Sequence, residues 1–231
     1  MTTQSPSLFD ASEIEAQVAP MLLRPLSAAA YTLLARYLEL LFHWNQKMNL
    51  TAVRDPAVLV KLHLAECLRA AQRIPDKVET VLDFGSGAGL PGIPIQIARP
   101  ELRVTLAESQ KKKAAFLREA VRELGLGHAS VHPGRVEDLP SQQVFDLVAL
   151  RAVEKMGEAL SSAIPRVRPP KDERRSWCMV LTSRAEIAGI VSAGHDSTED
   201  GNFASPTMEW LPPEGIPATE QRVILIGSRV R

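Results

Sequence analysis

The chain has 231 residues, 45% of them hydrophobic, with 27 basic and 27 acidic side chains and a formal net charge of zero. That suffices for one core-bearing domain with an extension, and it excludes a globally basic nucleic-acid binder, so a polyanionic partner must be met by local patches. Cys67 and Cys178 form no C-x-x-C pair, which argues against zinc or dithiol chemistry and for a reducing, cytoplasmic setting; residues 1–10 lack the pattern of a secretion signal, and no apolar run is long enough to span a bilayer.

Residues 1–12 are polar and read as a frayed terminus. Over 27–46, Ala30, Leu33, Leu34, Tyr37, Leu38 and Leu41 fall on one stripe at helical spacing and predict an amphipathic helix. Asp55-Pro56 reads as the start of a second helix, which Ile74-Pro75 stops after Arg73. Residues 1–75 are therefore expected to form a helical extension, and 76–231 a separate domain. Within that domain the pattern predicts strands at 81–84, 102–107, 129–132, 145–150, 177–181 and 223–226. Helices are predicted at 93–98, 113–124 and 156–167, the second closed by Gly125 or Gly127. The polar, proline-rich stretch 194–215 reads as loop. This alternation predicts an α/β fold with a doubly wound, mostly parallel sheet, whose carboxyl-end loops share one edge.

The first strand runs into Asp83-Phe84-Gly85-Ser86-Gly87-Ala88-Gly89-Leu90-Pro91-Gly92. Four glycines in eight residues exceed what a structural turn needs, and they let a ligand approach the main chain. Gly87-x-Gly89-x-x-Gly92 matches the dinucleotide fingerprint literally, a weak signal by itself. Glu108 ends the second strand about 20 residues on, the position from which a carboxylate accepts ribose hydroxyls. Together they predict a nucleoside-type ligand. NAD and S-adenosylmethionine both fit so far. Pro91 and Pro94 remove two N–H donors at the helix entry, which costs a pyrophosphate more than it costs the phosphate-free S-adenosylmethionine. Asp83 is placed either to fix the loop or to reach the ammonium group of that ligand.

Several further segments line up with one family. They are Trp44-Asn45-Gln46-Lys47-Met48-Asn49-Leu50-Thr51, the loop extended through Leu90-Pro91-Gly92-Ile93-Pro94, Glu108-Ser109 with Lys112, Phe116 and Leu117, Arg135-Val136-Glu137, and Phe145-Asp146 with Arg151-Ala152. In this order the chain resembles the bacterial RsmG (GidB) family of small-subunit ribosomal RNA methyltransferases, over roughly residues 30–155. The resemblance implies a Rossmann-like class I methyltransferase fold, S-adenosylmethionine as cofactor, and a guanine N7 in 16S ribosomal RNA, free or in the small subunit, as acceptor. Carried over by motif, Gly85 and Leu90 belong to the cofactor loop and Glu108, followed by Ser109, holds the ribose. Val136 and Glu137 bracket the adenine, and Arg151 stands at the cofactor or substrate edge. A monomer is the family expectation. The chain departs from the family pattern at Glu66-Cys67, at Leu150, at Thr182-Ser183, and over 169–175, where prolines and charges replace a glycine-rich turn.

Guanine N7 carries its own lone pair, so transfer needs alignment rather than a base, and no dedicated catalytic residue and no metal are expected. The chain has no Asn-Pro-Pro-aromatic motif and no Pro-Cys nucleophile; Cys178 reads as core. His63 and Trp44 read as structural, and Asn45 and Asn49 as caps of a helix end. Lys111-Lys112-Lys113 with Arg118 and Arg122, and the run from Arg166 to Arg175, are the candidate phosphate-facing patches, with Arg99 and Arg103 beside them. An NAD-dependent oxidoreductase and a non-catalytic RNA-binding module remain the alternatives.

Overall fold

The computed structural model describes residues 8–153, 155–171, 175–194, 207–217 and 219–230. The first helix among the described residues is α1 (Ala11–Val18), so Ala11 and Ser12 are helical rather than frayed. The Asp10 carboxylate supplies the cap, accepting from the amides of Ser12 (2.8 Å) and Glu13 (3.2 Å). Helix α2 (Ala28–Asn45) buries the predicted stripe, including Leu34, Tyr37, Leu38 and Leu41. The second predicted helix starts as expected, with Asp55 capping Ala57 and Pro56 in the first turn. It is not uniform, however: α3 (Pro56–Val58) passes through a π-helical turn, Leu59–Leu64, into α4 (Ala65–Arg73).

Strands β1 (Thr80–Phe84), β2 (Arg103–Ala107), β3 (Ala129–His132), β4 (Leu147–Arg151) and β5 (Trp177–Ser183) are parallel, while β8 (Arg222–Arg229) runs antiparallel to β5. The sheet order is β3-β2-β1-β4-β5-β8-β6, and β7 pairs with β8. Two short strands, β6 (Met208–Trp210) and β7 (Glu214–Gly215), occupy part of the stretch expected to be loop; residues 195–206 of that stretch lie outside the described residues. Helices α5 (Gly92–Ala98) and α6 (Lys111–Glu123) follow β1 and β2, and α7 (Met156–Ala163) and α8 (Ile187–Ala193) flank β5 in sequence.

Alternate strand residues face opposite sides. Leu147, Ala149, Met179 and Leu181 join α1, α2, α4, α5 and α6 in one core, whereas Val148, Leu150, Cys178 and Val180 join α7 and α8 in the other. Burial on both faces explains the unbroken apolar runs of β4 and β5. The N-terminal helices thus lie on the α5–α6 face, where the Tyr37 hydroxyl donates to the Ala88 carbonyl of the glycine loop (2.7 Å). The connection from β3 to β4 carries only a 3-10 turn, Val136–Asp138, among its described elements.

Candidate cofactor and substrate site

The glycine loop leaves β1 through Gly85 (φ +68°), Gly87 (φ +56°) and Gly89 (φ +90°), conformations that L side chains seldom adopt. Gly92 is required for a different reason. A Cβ there would land on Leu106 and on the Asp83 carboxylate. Asp83 is fully buried; its Oδ2 accepts from the Gly92 amide (3.0 Å), while its Oδ1 has no protein partner. Burial pushes its pKa up to about 7 against the opposing influence of Ser86, the Gly92 hydrogen bond and the Arg151 charge.

The amides at the start of α5 are already used. Gly92 donates to Asp83, Ile93 donates to the Gly89 carbonyl (2.8 Å), Pro94 has no N–H, and Ile95 donates to Pro91 (3.0 Å). A pyrophosphate would find no donors there.

At the end of β2, Glu108 is 6% exposed and turns back on the loop. Its Oε2 accepts from Gly87 (2.9 Å) and its Oε1 from Gln110 (2.7 Å). A cleft of about 190 Å³ opens beside it, walled by Phe84 and Gly85 on one side and by Ser109, Val136 and Glu137 on the others. Four of the expected residues, Gly85, Ser109, Val136 and Glu137, therefore meet at one cleft; Glu108 is not in its lining, although its chain neighbours Ala107 and Ser109 are. Leu90 does not line it: the side chain is buried in the α5-face core and anchors the loop from behind.

Strand order reverses between β1 and β4, which divides the carboxyl edge into a half over β1–β3, bearing the glycine loop and Glu108, and a second half over β4, β5 and β8. Arg151 ends β4, the strand paired with β1, and is not among the residues lining the cleft. Its Nε donates to Glu66 Oε2 (3.1 Å), and its guanidinium also meets His63 Nδ1. Glu66 is 2% exposed, and its Oε1 accepts from Nε (3.0 Å) and Nη2 (2.7 Å) of Arg222 at the start of β8. Burial, aided by Arg151 and Arg222, lowers the His63 pKa to about 4, so the ring is neutral and accepts from Arg151. Sequence reasoning noted Glu66 only as a departure and did not select Arg222. Their pairing links residues 156 apart, and neither periodicity nor local spacing announces it.

The other singled-out residues take structural places. Trp44 packs edge-on against Phe116 at 5.8 Å. Asn45 Oδ1 accepts from Leu50 (2.9 Å) and Thr51 (3.0 Å), and Asn49 accepts from Arg54 (2.9 Å). Cys67 and Cys178 are buried free thiols, pushed up to about 12 by burial, and thus poor nucleophiles. The basic patches need correction. Arg166 is buried, and Arg168 pairs with Asp146 (2.9 Å), while residues 172–174 of that run lie outside the described residues. Arg99 is buried and pairs with Glu101, Arg103 pairs with Glu79, and Arg122 pairs with Glu119 and Glu123.

With this geometry in place, the comparisons with known proteins decide the family. Residues 30–172 match the family model GidB, described as rRNA small subunit methyltransferase G. The chain belongs to this family. It is 44% identical to the ribosomal RNA small subunit methyltransferase G of Xanthomonas euvesicatoria pv. vesicatoria over 144 residues, 62% of this chain and 67% of that protein. It is 42% identical to its counterpart from Xanthomonas oryzae pv. oryzae over 177 residues, 70% of this chain and 82% of that protein. The match to the counterpart from Stenotrophomonas maltophilia spans 61% of that protein's length. A SAM-dependent methyltransferase from Aquifex aeolicus shares the fold at a TM-score of 0.55 and 15% identity, covering 79% of this chain and 97% of that one. The fold is thus that of the class I methyltransferases, and the family is one of S-adenosylmethionine-dependent ribosomal RNA methyltransferases.

Proposed function

We propose that this chain transfers the methyl group of S-adenosylmethionine to N7 of a guanine in 16S ribosomal RNA. One observation carries the cofactor assignment. The glycine loop and Glu108 are arranged for a nucleoside, yet every amide at the start of α5 is spent or missing, so the site suits a nucleoside without phosphates. The same observation weighs against NAD. The buried, unpartnered Oδ1 of Asp83 fits an ammonium group. Gly85 and Leu90 would shape the loop, Glu108 and Ser109 would take the ribose, and Val136 and Glu137 would bracket the adenine. When bound, S-adenosylmethionine supplies an electrophilic methyl on a sulfonium.

The protein's part is then alignment. The half over β1–β3 fixes the donor, and the edge at Arg151 presents the acceptor, whose N7 lone pair needs no base. This reading treats 1–75 as an extension bracing the glycine loop through Tyr37, and 76–231 as the methyltransferase domain. It places the protein in the cytoplasm, acting as a monomer; among the described residues, no helix is long and apolar enough to cross a membrane.

The test is direct. The protein is incubated with methyl-labelled S-adenosylmethionine and small ribosomal subunits from a strain lacking the gene, and the digested RNA is resolved into nucleosides. Label in 7-methylguanosine is expected. Label in any other nucleoside, or only in protein, defeats the guanine-N7 reading. RNA binding without label points instead to a non-catalytic binding module.

A further inference from the structure

The ionic cluster on Glu66 lies outside the cleft lined by Gly85, Ser109, Val136 and Glu137. It stands on the far side of the switch point, where Arg151 pairs with Leu181 and Arg222 with Ser183, so both arginines flank the same end of β5. One buried carboxylate there faces two guanidiniums, with the exposed Glu186 carboxylate also near Arg222. A buried ionic cluster is a poor stabiliser compared with apolar packing of the same volume. The π-helical turn Leu59–Leu64 carries His63 and leads directly into the helix that carries Glu66, and π-turns recur at functional sites.

The two arginines are not equivalent. The Arg151 side chain is 9% exposed and divides its donors between Glu66 and His63. The Arg222 side chain is 32% exposed; Nε and Nη2 are fixed on Glu66, and Nη1 makes no hydrogen bond among the described residues. A guanidinium with one edge clamped and another open is preorganised for an oxyanion.

We propose that Arg222 binds a phosphodiester of the nucleotide that carries the target guanine, with Glu66 as the positioning residue that clamps both guanidiniums. This rests on the RNA methyltransferase reading above. The base edge is the poorer ligand: an arginine on guanine O6 and N7 would cover the atom to be methylated. A base brought out of its stack into a cleft carries its own phosphates to the rim.

The experiment compares wild type with Arg222→Ala and Arg222→Lys in three measurements. These are KM for small subunits, binding of full-length 16S ribosomal RNA across a salt series, and affinity for S-adenosylmethionine. Arg222→Ala retains the Glu66–Arg151 pair, so the fold survives, and an unchanged melting temperature checks this. Expected are a rise of about tenfold in KM for subunits and a salt slope shallower by about one. Cofactor affinity stays within about twofold, while Arg222→Lys restores the slope because it keeps the charge. Unchanged KM and slope in Arg222→Ala overturn the proposal, as does a loss confined to cofactor affinity. Wild-type protein that binds the RNA with the expected Arg222 dependence, yet transfers no methyl, removes the methyltransferase reading and leaves the phosphate site standing. Wild-type protein that binds no RNA removes both.

Discussion

At Gly92 one missing Cβ lets strand β1 and helix α5 meet. The Asp83 carboxylate must reach the Gly92 amide, and Leu106 of β2 closes over the same spot. The residue is not in the left-handed region, so the demand is for space rather than for backbone freedom. Gly92→Ala is therefore expected to cost about 1–3 kcal/mol by overpacking and to weaken S-adenosylmethionine binding, because the clash displaces Asp83 and the loop together. Urea unfolding and calorimetric titration check both, and a variant as stable as wild type would show that this junction has slack. Such residues are legible in the sequence, because glycines crowded after a strand mark a backbone that turns sharply or is approached closely. Arg166 is not: its residue type and its neighbours both point to a solvated basic patch, and only the folded chain shows it buried.

The element that Arg166 serves is the connection from β3 to β4. With only a 3-10 turn for regular structure there, its carbonyls lack ladder partners, and the Arg166 guanidinium takes them instead. It donates to Glu137 (3.3 Å), Leu139 (2.9 Å) and Pro140 (2.7 Å). Val136 and Glu137, which wall the cofactor cleft, belong to this segment. Arg166→Met keeps much of the aliphatic stem but removes the donor to the Glu137 and Leu139 carbonyls, while Pro140 keeps the Gln143 amide, at about 1–3 kcal/mol for each carbonyl left buried and unpaired. KM for S-adenosylmethionine should rise several-fold with kcat changed far less, since the wall loosens while the edge at Arg151 is untouched. Steady-state kinetics decide this, and an equal fall in kcat alone would contradict it. At the same scale, the parallel strands and long helices were legible because their apolar periods are strong. Helix α1 was missed because its two buried residues, Ile14 and Val18, are too few to define a stripe. Strands β6 and β7 were missed because three and two residues carry no period. The Glu66 cluster was missed because its members are brought together only by the sheet order.

For the whole molecule, one buried and one half-buried titrating group set opposing pH dependences. Stability rises with pH where the unfolded chain binds more protons than the folded one, and falls where it binds fewer. Asp83 is raised from 3.8 to about 7, so between these values the folded protein holds a proton that the unfolded chain has released. Its contribution is complete below about pH 4 and is lost as pH rises through about 7, on the order of a few kcal/mol. His63 is lowered from 6.5 to about 4, so in that window the unfolded chain holds the extra proton and the His63 contribution grows with pH. From about pH 4 to 6.5 the two nearly offset each other; from 6.5 to 7 Asp83 acts alone. Each single variant should expose the other group. Relative to wild type, Asp83→Asn gains stability steadily as pH rises from 4 to 7, whereas His63→Gln loses it from 4 to 6.5. Denaturant unfolding of the cofactor-free protein at intervals across this range measures both differences. Parallel pH curves for Asp83→Asn and wild type would mean that Asp83 is already ionised at pH 5 in the folded protein, with the Arg151 charge and the hydrogen bonds at its carboxylate outweighing burial.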